Sequence, residues 1–195
     1  SYIKTFGIDT SRIVHIPIRH IEELKFDIVK RLDAIDRGEK VFIFIDSVGN
    51  LASKKEVEDA ENEKSVADMS RAKALKSLFR IITPSLTTKD LPCFAIMHTY
   101  KTMDLFPKDV VSGGTGAVYS ANQIFIITKA QEKEGTEIVG YRFTINIEKS
   151  RMVREKSKLP FTVMYGKGIM KYSGLFDIAL DLGYIVKTSA VSYGV

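Results

Sequence analysis

Residues 41–51 read VFIFIDSVGNL, five apolar residues running into an aspartate, a serine, a valine and a glycine. A run with hardly a polar break predicts a strand over 41–46 buried on both faces, and such strands belong to parallel sheets covered by helices. Open α/β sheets bind their ligands beyond the carboxyl ends of the strands, which is where Asp46 would stand. In nucleotide hydrolases an aspartate ending an apolar strand orients the hydrated magnesium that bridges the phosphates, because magnesium is a hard cation that keeps its waters. An aspartate here can equally cap the next turn. The stretch alone does not choose between the two uses.

Ile21, Leu24, Ile28, Leu32 and Ile35 recur at helical spacing with charged residues between them. This predicts an amphipathic helix that stops near Gly38. Residues 52–65, ASKKEVEDAENEKS, have no clear apolar face and read as a solvated loop or a helix start. Val66, Met69, Leu75, Leu78, Phe79 and Ile82 predict a second helix, with Pro84 just beyond it. CFAIM at 93–97 is a second apolar run, ending at His98, and a long irregular stretch follows to about residue 117 with Pro107, Gly113, Gly114 and Gly116.

Residues 123–128 predict a third buried strand. Tyr141, Phe143, Ile145 and Ile147 alternate with polar residues, the period of a half-exposed strand. Residues 161–165 give one more, with a turn at Gly166 and Gly168, and a short helix over 173–182 is positioned for capping by Gly183. Helices and strands alternate first and antiparallel-looking strands follow. The expected architecture is therefore a single α/β domain over 1–195, a mostly parallel sheet flanked by helices with a β-rich C-terminal end.

Apolar residues make up 45 % and charged residues 27 %, the balance of a soluble globular chain. No apolar run has the length of a membrane span and no signal peptide is visible, so a cytoplasmic setting without membrane contact is expected. Cys93, the single cysteine, cannot form a disulfide within the chain, which fits a reducing compartment; it reads as a buried small hydrophobe. The net charge of +5 favours a polyanionic partner. His15 and His20 show no partner spacing and read as structural.

The stronger half of a nucleotide-binding pattern is a glycine-rich loop ending in Lys-Ser or Lys-Thr. SGGTGAVYS at 112–120 is glycine-rich, but no lysine follows its glycines at the required spacing. The order FIDSVGNL, a helix, PCFAIMHT, a glycine-bearing loop, INIEKSR and MYGKGI resembles the RecA-type recombinases over nearly the whole chain. FIDSVGNLASKKE and TINIEKSRMVREKSK carry the resemblance toward the UvsX recombinases of large tailed phages. In that family the phosphate loop and the glutamate that activates water precede the segment that SYIKTFGIDTSRIVH resembles. The resemblance thus implies the C-terminal part of a P-loop ATPase core, with the phosphate-loop strand absent.

The resemblance also assigns roles. Asp46 would orient Mg2+ through water, with Ser47 its hydrogen-bonding neighbour at the ATP site, and His98 would sense the γ-phosphate and pass its state to the next loop. Lys149 and Arg151, inside the basic run KSRMVREKSK, match a pair that reaches the ATP of a neighbouring subunit, as arginine fingers do. Tyr119 matches a subunit-interface position, with a core tyrosine as the competing view. Residues 49–65 and 99–116 match two DNA-binding loops, giving Lys54, Lys55, Tyr100, Lys101, Phe106, Lys108, Gly113 and Gly114 as candidate DNA contacts. The residues themselves support this unevenly, since 52–65 is net negative and 99–116 is locally neutral. Tyr100, Met103, Leu105 and Phe106 in an exposed loop would suit stacking on unpaired bases.

The implied function is ATP-dependent filament formation on single-stranded DNA, with pairing to double-stranded DNA during strand exchange. This chain alone, without phosphate loop or catalytic glutamate, is expected to be inactive and marginally folded. Two alternatives remain at this stage: a hexameric helicase-type ATPase on the same core, and a non-enzymatic truncated module that binds DNA or a recombinase.

Overall fold

The computed structural model describes residue 4 and residues 7–62, 70–112, 114–189 and 192–194. These fall into two compact units, Val14–Ala121 and Asn122–Val195, the second including the N-terminal Ser1–Ile13.

In the first unit the predicted helix forms as α1, Ile21–Ala34, whose buried face is Ile21, Leu24, Ile28 and Leu32. His20 caps it, its Nδ1 accepting the N–H of Glu23 at 3.2 Å, which gives the structural histidine a defined task. Helix α2, Lys54–Glu61, starts on a capping box in which Ser53 and Glu56 exchange side-chain to backbone bonds. Helix α3, Ser70–Lys89, buries Leu75, Leu78, Phe79 and Ile82; Val66 and Met69, also read as part of this helix, lie outside the described residues. Pro84 lies inside α3 rather than beyond it. Threonines around it spend their hydroxyls on backbone carbonyls, Thr83 on Phe79 and Thr88 on Pro84 at 2.6 and 2.8 Å. The helix ends instead at Asp90, which adopts φ 57°. Lys89 then closes the end of α1 by donating to the carbonyls of Leu32 and, at 2.6 Å, Ile35.

Strands β1, Ile43–Ile45, and β2, Cys93–Ala95, pair in parallel, Ile43 opposite Cys93 and Ile45 opposite Ala95. The expectation of burial on both faces is overturned. Ile45 enters the core with α1 and α3, whereas Phe44 is 57 % exposed, its ring tilted at 40° to that of Phe94 and 6.3 Å from it. Successive strand residues point to opposite faces, and helices cover only one face here.

The stretch expected to be irregular is also corrected. It holds an antiparallel hairpin, β3 Thr99–Lys101 with β4 Asp109–Val111, and a short helix α4, Thr115–Ser120. Gly116 is required where α4 meets α3, since a Cβ there would lie 2.8 Å from the Lys76 Cα.

The second unit is the expected β-rich end. Strands β5 Gln123–Glu134, β6 Glu137–Ser150, β7 Lys158–Met164 and β8 Gly168–Ile169 form an antiparallel sheet in chain order. β5 is not the doubly buried strand expected over 123–128, for Phe125 and Ile127 are exposed. It is one arm of a long hairpin, and its exposure alternates only over residues 123–127. Phe143 stacks on Phe161 at 5.2 Å between ring centres, and Ile147 is buried. Gly166 and Gly168 turn the chain at φ 70° and 73°. Helix α5, Leu175–Asp181, is followed by Gly183, which donates to the Leu180 carbonyl at 3.1 Å. Strands β9 Val186–Lys187 and β10 Tyr193–Gly194 close the unit as a small antiparallel pair.

Candidate functional site

β1 carries Asp46 to the carboxyl end of the parallel pair. The ladder continues beyond the strands, with Ile96 donating to the Ile45 carbonyl and Val48 to the Ile96 carbonyl, each at 3.0 Å. Asp46 and His98 therefore leave the same end of the same two strands. Asp46 is exposed and Ser47 half-buried, and the peptide between them is cis. No hydrogen bond or ion pair to the Asp46 carboxylate is found among the described residues, so it is not spent on capping a turn. Ser47 opens a 3-10 turn, Val48–Asn50, without a side-chain bond to it.

His98 is tied on three sides. Its Nε2 lies 2.9 Å from Asn50 Oδ1, its carbonyl accepts from Ser112 at 2.8 Å, and its ring lies against Gly49, where a Cβ would come within 2.4 Å of Cδ2. The turn that carries Gly49 and Asn50 is gripped by Arg71 of α3. The Arg71 guanidinium donates to the carbonyls of Leu51 at 2.9 Å, Gly49 at 2.8 Å and Val48 at 3.4 Å. Sequence reasoning singled out neither Asn50 nor Arg71. Arg71 has a faint signal in the sequence, a cation opening an apolar-periodic helix; Asn50 has none.

The hairpin rooted at His98 projects the apolar residues read as base-stacking candidates. Met103, Leu105 and Phe106 are 105 %, 89 % and 77 % exposed, and Tyr100 is exposed too. The view that this loop folds back and buries them does not hold. Lys101 is less available than its charge suggests, for it pairs with Asp109 directly opposite at 2.8 Å. Thr102 receives the Lys108 amide at 3.0 Å and so fixes the base of the tip. Gly114 adopts φ 84° at the start of α4; Gly113 lies outside the described residues.

In the first loop Lys54 lies 3.5 Å from Glu58, and its backbone amide donates to Glu22 at 2.8 Å. Lys55, on the same helix, is also partnered. Tyr119 is 74 % exposed on α4, which removes the core-tyrosine view. In the second unit Lys149 lies near the end of β6 opposite Ile124, and Arg151 follows the strand in an exposed turn whose Met152 and Val153 amides donate to Ser150 Oγ at 3.1 Å. Lys156 of the same basic run is paired with Glu148 at 2.6 Å.

No helix among the described residues is long and apolar enough to cross a membrane. No group of three His, Cys, Asp or Glu side chains able to cage a metal occurs among them either. A lone exposed carboxylate fits a hydrated magnesium held through its water shell, not a dehydrated ion.

Residues 1–170 match the family model of the RecA N-terminal domain. The chain is 56 % identical over 187 residues to the recombination and repair protein of Enterobacteria phage T4, across 96 % of this chain and 48 % of that protein. It is 27 % identical over 196 residues to Protein RecA of Ruminococcus albus, across 97 % of this chain and 47 % of that one. Against Protein RecA of a Nocardioides species the identity is 27 % over 195 residues, across 97 % and 53 %. The chain spans about half the length of these curated relatives.

Proposed function

The chain belongs to the RecA family, and from that premise we propose that it serves an ATP-dependent recombinase that assembles on single-stranded DNA and promotes homologous pairing and strand exchange. The observation that supports the reading is one hairpin whose root lies at the carboxyl end of the parallel pair and whose tip is apolar and exposed. Its root is His98, which leaves the same carboxyl end of the parallel pair as Asp46. Its tip is Met103, Leu105 and Phe106, side chains left largely exposed.

When bound, magnesium and ATP supply a γ-phosphate whose presence or loss the site reads. Asp46 would hold the ion through water. His98, donor or acceptor according to its tautomer, would answer to the phosphate and shift the hairpin through its carbonyl bond to Ser112. Lys149 and Arg151 of a neighbouring subunit would neutralise charge on the phosphates, which ties turnover to assembly. Tyr119 would lie at the contact between subunits. At the tip, Phe106 and Tyr100 would stack on bases, with Leu105 and Met103 wedged beside them. Lys54, Lys55, Lys101, Lys108 and the Gly114 amide would contact the backbone, as would Gly113.

The test is fluorescence anisotropy of a labelled single-stranded oligonucleotide titrated with this chain at several salt concentrations. Binding that weakens with salt is expected, because each phosphate contact releases counterions. No binding at low salt, from a chain shown to be folded, would remove this reading.

A further inference from the structure

The grip of Arg71 on the turn at 48–51, and the reach of Asn50 from that turn to His98, form a chain of contacts that the reading above does not use. It starts in α3, crosses three backbone carbonyls, passes through Asn50 Oδ1 to His98 Nε2, and leaves by the His98 carbonyl to Ser112 at the return of the hairpin. The ring lies so close to Gly49 that a Cβ there would come within 2.4 Å of its Cδ2.

We propose that Asn50 is a positioning residue that orients the His98 ring, that Arg71 anchors it, and that the loops at 49–65 and 99–116 are thereby linked through one histidine. The chemistry favours these residue types. With Oδ1 facing it, Nε2 must carry a proton, which leaves Nδ1 as the nitrogen able to accept from a ligand group. A guanidinium presents a planar fork of five donors and can bridge several carbonyls at once, which a lysine ammonium on its flexible stem does not reproduce. The inference deepens the functional reading, since it names how the nucleotide-sensing residue is held and which second loop it addresses.

Amide hydrogen exchange on this chain tests it, followed at Ser112, at Thr102, which donates to Lys108, and along α1. Asn50→Ala is expected to speed exchange at Ser112 and Thr102 about tenfold, the scale of one lost hydrogen bond, and to leave α1 unchanged. Asn50→Asp keeps an acceptor oxygen and is expected to stay near wild type. Arg71→Lys is expected to fall between. In 15N-histidine-labelled chain the His98 Nε2–H resonance should survive Asn50→Asp and be lost to water in Asn50→Ala. Unchanged exchange in Asn50→Ala, equally fast exchange in Asn50→Asp, or a rise shared by α1 would each overturn the proposal. Anisotropy on the same samples separates the two readings. Linked exchange without DNA binding keeps this inference and removes the function, whereas DNA binding with unlinked exchange does the reverse.

Discussion

A Cβ built on Gly49 would lie 2.4 Å from His98 Cδ2 and 3.0 Å from its backbone nitrogen. A backbone nitrogen cannot give way as the end of a long side chain would. Gly49→Ala should therefore displace His98 and lower stability by about 1–3 kcal/mol, the usual cost of overpacking, seen as a lower urea midpoint. Cys93 makes a second residue-scale case. Burial pushes its thiol up to about 11, so at pH 8 it is almost wholly protonated, and only the thiolate is nucleophilic. Alkylation at pH 8 should be roughly a hundredfold slower than for an open thiol and should keep accelerating as pH rises toward 11. A rate that levels off near pH 9 would show the thiol to be solvated. Asp46 and His98 were readable as a pair because each ends an apolar run, and strand ends are where sheets present ligands. Asn50 was not readable, since its partner is 48 positions away and nothing in its surroundings marks the contact.

At the scale of elements, legibility followed the strength of the local pattern. α1 repeats apolar residues at helical spacing and was read almost to its ends. The hairpin at 99–111 was missed because its arms, TYK and DVV, are too short to show alternation and its turn is defined by contacts between Thr102 and Lys108. The apolar runs at 41–46 and 123–128 mark strands but not their burial, and the continuation of β5 to Glu134 is too polar to be marked at all. An apolar run implies two covered faces only if something is present to cover both, and in this chain Phe44, Phe94, Phe125 and Ile127 are left exposed. α2 gives a clean test of local physics. Its residues show no buried face, so it depends on its cap, and Ser53→Ala should cost about 1 kcal/mol. Ser53 is itself fully buried, and an unchanged unfolding midpoint would mean that α2 adds nothing to the cooperative fold.

At the scale of the whole chain, the parallel pairing expected of the core is carried among the described residues by β1 and β2, and the antiparallel end by β5 to β8. The resemblance supplied expectations that periodicity could not: that these strand ends would serve a nucleotide, and that Lys149 and Arg151 would act on a neighbour. The 195 residues contain no glycine-rich loop ending in Lys-Ser or Lys-Thr, so this chain alone should show no DNA-stimulated ATP hydrolysis above an Asp46→Asn control; clear turnover above it would place a phosphate cradle elsewhere in the fold. The central claim, that a hairpin rooted at His98 presents an apolar tip to unpaired bases, is tested most directly by comparing wild type with Phe106→Ala in single-strand binding. Phe106 is 77 % exposed, so its loss should leave the circular dichroism and unfolding midpoint unchanged. A loss of affinity of roughly 5- to 150-fold is expected, the worth of one stacked base. Equal affinities for the two proteins would contradict it.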